Sequence, residues 1–183
     1  LGLHGVKISA PLPDAFSIHL RNLEISTASS HGVLCEFSTN TINLTGCSIH
    51  SCGGDGINSL SLNESLSIGN ALNLIGTNVQ ANSGHGVHWS AAVLSILGGV
   101  IQGNAGNGVF VDAQEVNTSN ITILGVYFEM NSNGSPNFAE IELKASDAYG
   151  ISGGLIDGNR LQATPDTPAI RMSTSGTPRP CIY

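Results

Sequence analysis

Two acidic residues occupy matching places in two related segments of the sequence. Glu129 is the ninth residue of ITILGVYFEMN (121–131), and Asp157 is the ninth residue of YGISGGLIDGN (149–159). If these segments stack as neighbouring strands, the two carboxylates lie about 5 Å apart. At that distance they repel, which raises the pKa of one of them, and an acid beside a base is what retaining glycoside hydrolysis uses. Glu129 and Asp157 are therefore the predicted catalytic residues.

Further polar side chains continue the same row of the predicted surface. Tyr127 points outward two residues before Glu129, where its ring can pack on the face of a sugar. Gln102, Gln80 and His50 occupy the row in earlier segments and supply hydrogen-bonding groups for further sugar units. These four residues are predicted to bind carbohydrate. The alternative is an ordinary solvated sheet surface, on which an acidic pair arises by chance.

These positions follow from an internal repeat that runs through most of the chain. Its frame is apolar-x-apolar-x-Gly-x-x-apolar-x-x-Asn, and several copies continue into x-Gly-x-Gly-Val, as in NSGHGVHW (82–89). Apolar residues alternate with other residues around each reference glycine, which indicates short strands with one buried face. A repeat of this kind without a helical segment closes one coil of a solenoid, and stacked coils pair their strands in parallel. The reference glycines are Gly46, Gly76, Gly98, Gly125 and Gly153.

The sequence therefore predicts an all-β fold, namely a right-handed single-stranded parallel β-helix of about six to seven coils. Residues 1–172 are assigned to the β-helix, as a fragment of a longer helix whose N-terminal cap is missing. Residues 173–183 are assigned to an irregular tail or to the start of a further domain. The predicted inward columns are Ile18, Ile42, Leu72, Leu94, Ile121 and Tyr149; Leu20, Leu44, Leu74, Ile96, Ile123 and Ile151; and Ile25, Ile49, Val79, Ile101, Phe128 and Ile156.

Asparagines recur at one corner of the predicted coils, where Asn suits a turn and can bond the amides around it. Stacked coil on coil, their side-chain amides are expected to bond one another as a structural ladder. The four residues of this predicted ladder are Asn82, Asn104, Asn131 and Asn159.

One outward row of the predicted β-helix is apolar. Ile75, Leu97 and Leu124 follow one another on consecutive coils, and exposed apolar strips usually mark contacts. The strip is interpreted either as a subunit interface of a homotrimer or as a surface that a loop of the chain covers.

A third outward row follows the Gly-Val pairs. Its members are Asn58, His88, Phe110, Glu142 and Arg171. Cross-strand ion pairs between Glu142 and Arg171, and between Lys144 and Asp112, are the preferred interpretation of its charges. Asp55 and His85 occupy equivalent turn positions on consecutive coils, either as an acid–base pair or as turn residues.

Charge and cysteine content exclude several classes of function. The net charge is −7 with only six Lys and Arg, which argues against binding to nucleic acid or to an anionic membrane surface. No apolar run approaches the ~18 residues of a membrane span. Neither a metal-binding His or Cys cluster nor a phosphate-binding glycine loop is present in the sequence, so no metal and no cofactor is expected. Cys35 is predicted to be a buried free thiol, and Cys47 and Cys52 are either free or joined in a disulfide.

The repeat frame with its Asn corner resembles the pectate-lyase-like superfamily of right-handed β-helices over residues 4–172, and is most similar to bacteriophage tailspike depolymerases. The resemblance implies a homotrimer on the virion tail, outside the cell, that binds and cleaves a bacterial surface polysaccharide (lipopolysaccharide O-antigen or capsule). Two alternatives stay open. One is a non-catalytic glycan-binding or structural β-helix of a tail fibre or adhesin, and the other is a secreted or cell-surface bacterial polysaccharide lyase or hydrolase. Gly84-His85-Gly86 is similar to the Gly-His-Gly of polygalacturonases, but the paired-Asp and Arg-x-Lys motifs of those enzymes are absent.

Overall fold

A computed structural model describes residues 3–9, 17–36, 41–60, 71–113, 120–146 and 150–175. Within these ranges the chain forms nineteen short β-strands and one 3₁₀ helix, at Asn131–Gly134. None of its helices is both long and apolar enough to span a membrane within the described ranges. The strands are β1 (Val6–Ser9), β2 (Ile18–Arg21), β3 (Glu24–Ser26), β4 (Val33–Glu36), β5 (Thr41–Thr45), β6 (Ser48–His50), β7 (Ile57–Leu60), β8 (Ala71–Ile75), β9 (Asn78–Gln80), β10 (Val87–Trp89), β11 (Val93–Leu97), β12 (Val100–Gln102), β13 (Val109–Ala113), β14 (Asn120–Leu124), β15 (Tyr127–Glu129), β16 (Ile141–Ser146), β17 (Gly154–Asp157), β18 (Arg160–Gln162) and β19 (Ile170–Ser175).

The strands form three parallel sheets, and each strand pairs with the strand that lies three places further along the chain. Sheet A has the order β1-β4-β7-β10-β13-β16-β19, sheet B has β2-β5-β8-β11-β14-β17, and sheet C has β3-β6-β9-β12-β15-β18. Each repeat of the sequence therefore gives one strand to each sheet, and neighbouring repeats are hydrogen-bonded throughout. The predicted all-β class with parallel pairing is confirmed.

The inward side chains of the three sheets form one continuous aliphatic core. The register confirms the predicted columns over the first five repeats, as in Ile18–Ile42–Leu72–Leu94–Ile121. Sheet A adds a third wall, in which Trp89 is the largest fully buried side chain. Each fully buried apolar side chain contributes roughly 1.5–3 kcal/mol, so these columns are the main source of stability.

The last repeat lies in a different register from the predicted one. Strand β17 pairs with β14, and these two strands are followed directly by Gly158 and Gly125. Gly158, and not Gly153, is therefore the equivalent of Gly125. Both glycines are followed three residues later by an apolar side chain, but the Gly158 frame has Gly154 in an apolar place and Thr164 in the Asn place. The pairing between strands therefore overrides the frame that the sequence pattern favours. The structure places Gly154, Ile156 and Leu161 at the inward positions that were predicted for Tyr149, Ile151 and Ile156, respectively. Tyr149 itself lies outside the described residues.

Three of the four predicted corner asparagines form a buried ladder. Asn82 Nδ2 donates to Asn104 Oδ1 at 2.9 Å, and Asn104 Nδ2 donates to Asn131 Oδ1 at 2.8 Å. The Asn131 amide in turn donates to the carboxylate of Glu140, a fully buried acid whose pKa is raised, primarily by burial. The ladder prediction is confirmed for these three asparagines.

Asn159 does not belong to this ladder, so its predicted place was wrong. Because of the register shift it lies at the corner between sheets B and C. There its Oδ1 accepts the N–H of Val126 at 2.8 Å and its Nδ2 donates to the carbonyl of Ile123 at 2.8 Å. It therefore holds its repeat to the preceding one by the same chemistry at a different corner.

Cys35, Cys47 and Cys52 are buried and free, so the disulfide alternative for the last two does not apply. Burial raises the pKa of the Cys35 thiol to about 12, as expected for an inward residue. Strand β19 continues to Ser175, and Cys181 lies beyond it, outside the described residues. The predicted division of the chain at residue 172 stays a prediction.

Candidate functional site

A row of polar side chains runs across the outward face of sheet C, one per repeat. Gln102 Nε2 donates to Gln80 Oε1 at 3.2 Å, which joins two of the side chains predicted to bind carbohydrate. Amide side chains both donate and accept, and hydrogen-bonding surfaces of this kind suit ligands with many hydroxyl groups. The row, called the polar row below, consists of Ser26, His50, Gln80, Gln102, Glu129 and Gln162.

Tyr127 lies beside the polar row, as predicted. Its hydroxyl donates to Gln162 Oε1 at 3.2 Å, and the Arg160 guanidinium lies 5.3 Å from its ring centroid. The pKa of the phenol is raised, first by partial desolvation and then by the neighbouring Glu129 carboxylate. Tyr127 therefore adds an aromatic surface next to the hydrogen-bonding groups of the row.

His50 stands near the N-terminal end of the polar row and is already engaged. Its Nε2 lies 3.2 Å from Glu24 Oε1, and its Nδ1 lies 3.2 Å from Ser51 Oγ. A ligand would therefore have to compete with these partners for the imidazole. The predicted role of His50 stays a prediction.

The predicted juxtaposition of Glu129 and Asp157 was wrong. Glu129 pairs with Gln162 on sheet C, whereas Asp157 ends β17 on sheet B and pairs with Leu124. Asp157 Oδ1 accepts the N–H of Gly158 at 2.8 Å, which is a turn interaction. The five-residue register shift accounts for the error. The row thus contains one of the two carboxylates, and the catalytic role of each residue stays a prediction.

The predicted apolar strip lies on the outward face of sheet B. Ile75, Leu97 and Leu124 are directly opposite one another in the register. Ile75 and Leu97 are 44% and 37% exposed, and Leu124 is partly buried. The strip is flanked by polar residues at both ends, Thr45 before it and Asp157 after it.

The outward face of sheet A carries the predicted third row. Glu142 and Arg171 form the predicted ion pair, with 3.7 Å between Oε2 and Nη1, and Lys144 lies opposite Asp112 as predicted. Arg171 also donates to the carbonyls of Pro136, Asn137 and Phe138, which fastens this loop beside the sheet.

A second ladder lies at the turn that leads into sheet A, and it includes the two predicted turn residues Asp55 and His85. Its members are His31, Asp55, His85 and Asn107, called the turn ladder below. Each member uses one side-chain atom to accept a backbone N–H from the next repeat. His31 Nδ1 accepts from Asp55 at 3.0 Å, Asp55 Oδ1 from His85 at 2.6 Å, His85 Nδ1 from Asn107 at 2.9 Å, and Asn107 Oδ1 from Ala139 at 2.6 Å.

The turn ladder has a sequence signature that identifies it in retrospect. Its members each precede a Gly-Val or Gly-Ile pair, in HGV (31–33), DGI (55–57), HGV (85–87) and NGV (107–109). Nδ1 of His and Oδ1 of Asp and Asn are all acceptors bonded to Cγ, so three residue types place an acceptor at the same distance from the backbone.

Asp55 is the charged centre of this region and is 93% buried, since only 7% of it is exposed. Burial alone would raise the pKa of Asp55, but His88, the Asn58 amide and the His85 charge and N–H together lower it to about 2. The Asn58 amide donates directly to Asp55 Oδ2, and His88 Nδ1 lies 3.7 Å from the same oxygen. Asp55 is therefore ionised at neutral pH and well supplied with donors, which favours the turn-residue interpretation over an acid–base pair.

Aromatic side chains close the outer side of the turn ladder. The His85 ring lies 4.9 Å from the Phe110 ring, 5.8 Å from the Phe138 ring and 5.4 Å from the His88 ring, measured between centroids. This cluster partly shields the imidazole of His85 from water.

Comparison with known proteins finds no matching family model, no matching curated protein and no matching solved structure. Over the described part of the chain, no group of three or more His, Cys, Asp or Glu side chains is arranged to hold a metal ion.

Proposed function

We propose that this chain is a stretch of right-handed parallel β-helix that binds a polysaccharide along the outward face of sheet C. The carrying observation is the polar row, in which Gln80, Gln102, Glu129 and Gln162 follow one another on consecutive repeats beside Tyr127. Parallel strands are spaced about 4.8 Å apart, so the row is a regular, extended surface rather than a closed pocket. An extended, repeating ligand such as a polysaccharide suits such a surface better than a small molecule does.

The biological setting proposed for this binding is a bacteriophage tailspike, outside the cell. The ligand would be a bacterial surface polysaccharide, either lipopolysaccharide O-antigen or capsule. The three parallel sheets support this setting, as does the low content of Lys and Arg, which disfavours nucleic acid. The apolar strip of Ile75, Leu97 and Leu124 is proposed as the contact between subunits of a homotrimer.

A second candidate function is hydrolysis of the bound polysaccharide. It is favoured by Glu129, a carboxylate that lies within the polar row and next to Tyr127. Asp157 lies on a different sheet and does not face Glu129 in the register. Binding is therefore the better supported of the two functions.

Binding to a panel of purified O-antigens and capsular polysaccharides tests the proposal. With the polysaccharide that binds best, Gln102→Ala and Tyr127→Ala should each weaken affinity about tenfold, which corresponds to about 1.4 kcal/mol. Asn73→Ala is the matched control, because Asn73 bonds Asn43 in a similar way on sheet B. An equal loss in Asn73→Ala, or no loss in the two row variants, would contradict sheet C as the binding face.

The same preparations distinguish binding from cleavage. If the chain hydrolyses its ligand, the wild-type protein releases new reducing ends, and Glu129→Gln abolishes the release while retaining binding. Binding without release by the wild type would leave a non-catalytic glycan-binding module. Unchanged release by Glu129→Gln would exclude Glu129 as the catalytic acid.

A further inference from the structure

Three of the six histidines of the chain, His31, His85 and His88, lie around one buried carboxylate at the turn into sheet A, and a fourth stacks on one of them. His4 stacks on His31 with 5.5 Å between ring centroids, and His31 Nδ1 lies 3.6 Å from Asp55 Oδ2. From the next repeat, the backbone N–H of His85 donates to Asp55, and His88 faces the same carboxylate. Titratable side chains are therefore concentrated at the joints between consecutive repeats.

His31 and His85 hold these joints together only as neutral imidazoles. Each accepts a backbone N–H through Nδ1, so its own proton must lie on Nε2. Protonation at Nδ1 places a donor against a donor and removes the hydrogen bond. The backbone N–H groups of Asp55 and Asn107 then lose the acceptors that serve them now, and leaving a buried donor without its acceptor is unfavourable.

We propose that His31 and His85 make the turn ladder an acid-sensitive joint, which loosens the contact between neighbouring repeats as the pH falls below neutrality. The proposal does not depend on glycan binding, since the joint lies at the turn into sheet A and the polar row lies on sheet C. Asp55 and Asn107 complete the ladder but carry no proton at their acceptor oxygens in this pH range. The hydrogen bonds accepted by His31 and His85 are thus acid-sensitive, and those accepted by Asp55 and Asn107 are not.

Some of the charged groups that face the two imidazoles raise their pKa, and others lower it. His31 meets His4 and His88, which disfavour its protonation, and Asp55, which favours it. His85 meets His88, which disfavours its protonation, and Asp55 and Glu142, which favour it. Desolvation by burial is the largest effect on both, and the pKa of each imidazole is lowered from the usual value of 6.5.

The sign of the pH dependence follows from that lowered pKa. Well above pH 6.5 both imidazoles are neutral in the folded and the unfolded chain, and the joint is intact. As the pH falls below 6.5 the unfolded chain takes up protons before the folded one does, so stability is lost from there down to the folded pKa. Over the same pH range, local opening that allows the imidazoles to be protonated becomes more favourable.

Amide hydrogen exchange, corrected for intrinsic rates, tests the joint directly. Between pH 7.5 and pH 5, the protection of the Asp55 and Asn107 amides should fall at least tenfold. The His85 and Ala139 amides are internal controls, because their acceptors are Asp55 Oδ1 and Asn107 Oδ1. A uniform change of all four amides, or full protection of the Asn107 amide at pH 5, would overturn the proposal.

The chain itself supplies the matched variants, because Asn107 performs the same task without a titratable group. In His85→Asn the Asn107 amide should keep its protection at pH 5, while the Asp55 amide still loses it. In the reciprocal Asn107→His the Ala139 amide should become acid-sensitive, with a loss of at least tenfold. If His85→Asn loses protection as the wild type does, the imidazole is not the cause and the proposal fails.

Discussion

At the scale of single residues, neighbouring repeats are held together by side chains that carry an acceptor bonded to Cγ. Asn82, Asn104 and Asn131 bond one another inside one corner, and the turn ladder does the same at the entry to sheet A. The two ladders differ in what they contain. The corner ladder ends on the buried Glu140, whereas the turn ladder contains groups that titrate between neutral and acid pH.

Replacing Asn104 tests the energetic weight of the corner ladder. Asn104→Ala leaves the Asn82 N–H and the Val79 carbonyl without the side-chain partner that serves them now. Because both groups lie in the buried corner, the free energy of unfolding in urea should fall by about 2–4 kcal/mol. Asn73→Ala breaks one amide–amide bond on the outward face, and should cost no more than about 1 kcal/mol. Similar losses in the two variants would count against a special role of the corner.

At the scale of strands and turns, glycine serves two different purposes. Gly76 adopts a left-handed backbone with φ +54° at the corner between sheets B and C, and a Cβ there would meet no atom within 4 Å. Gly86 precedes sheet A, and a Cβ there would lie 2.5 Å from the Gly108 carbonyl oxygen and 2.8 Å from Ile101 Cγ2. Gly76 provides the left-handed backbone conformation that the corner needs, and Gly86 leaves space for adjacent repeats to approach each other closely.

Alanine substitution should separate these purposes. Gly76→Ala is expected to cost about 1 kcal/mol, from the backbone conformation alone. Gly86→Ala is expected to cost about 2–3 kcal/mol, because the backbone carbonyl of Gly108 would have to shift to make room for the new methyl group. Both values come from urea unfolding of the same preparation. A smaller loss for Gly86→Ala than for Gly76→Ala would contradict the close-approach explanation.

At the scale of the whole molecule, the three sheets present three different outward faces. Sheet C is polar and regular, sheet B carries the apolar strip, and sheet A carries charged and aromatic side chains with a loop fastened beside it. This separation is consistent with one face for a ligand and another for a subunit contact. It does not require any single residue to serve both tasks.

The subunit contact is tested by a charge in the middle of the apolar strip. If the strip joins a homotrimer, light scattering gives three times the mass of one chain for the wild type. Leu97→Lys buries an unpaired ammonium in that contact and should shift the protein to monomers. Gln102→Lys, on the polar face, is the matched control and should remain trimeric. A monomeric wild type, or an intact Leu97→Lys trimer, would contradict the strip as the interface.

Most of the architecture could be predicted from the sequence, because it is periodic. Alternating apolar residues specify which side of each strand is inward, and a repeating frame specifies that strands stack in parallel. Three features follow from that frame: the inward columns up to Phe128, the ladder of Asn82, Asn104 and Asn131, and the polar row up to Glu129. Each of these depends on positions within one repeat and on alignment with an unambiguous neighbour.

The tertiary structure alone decided what the frame leaves open. Gly153 fits the repeat frame more fully than Gly158 does, yet strand pairing placed Gln162, and not Asp157, opposite Glu129. Periodicity placed Asp55 and His85 at equivalent turn positions but did not predict the turn ladder, because His, Asp and Asn share no hydropathy signal and are related only by where they place an acceptor. A local pattern specifies which face a side chain occupies, whereas its partner depends on the length of chain between repeats. Glu129 and Asp157 lie on different sheets for that reason.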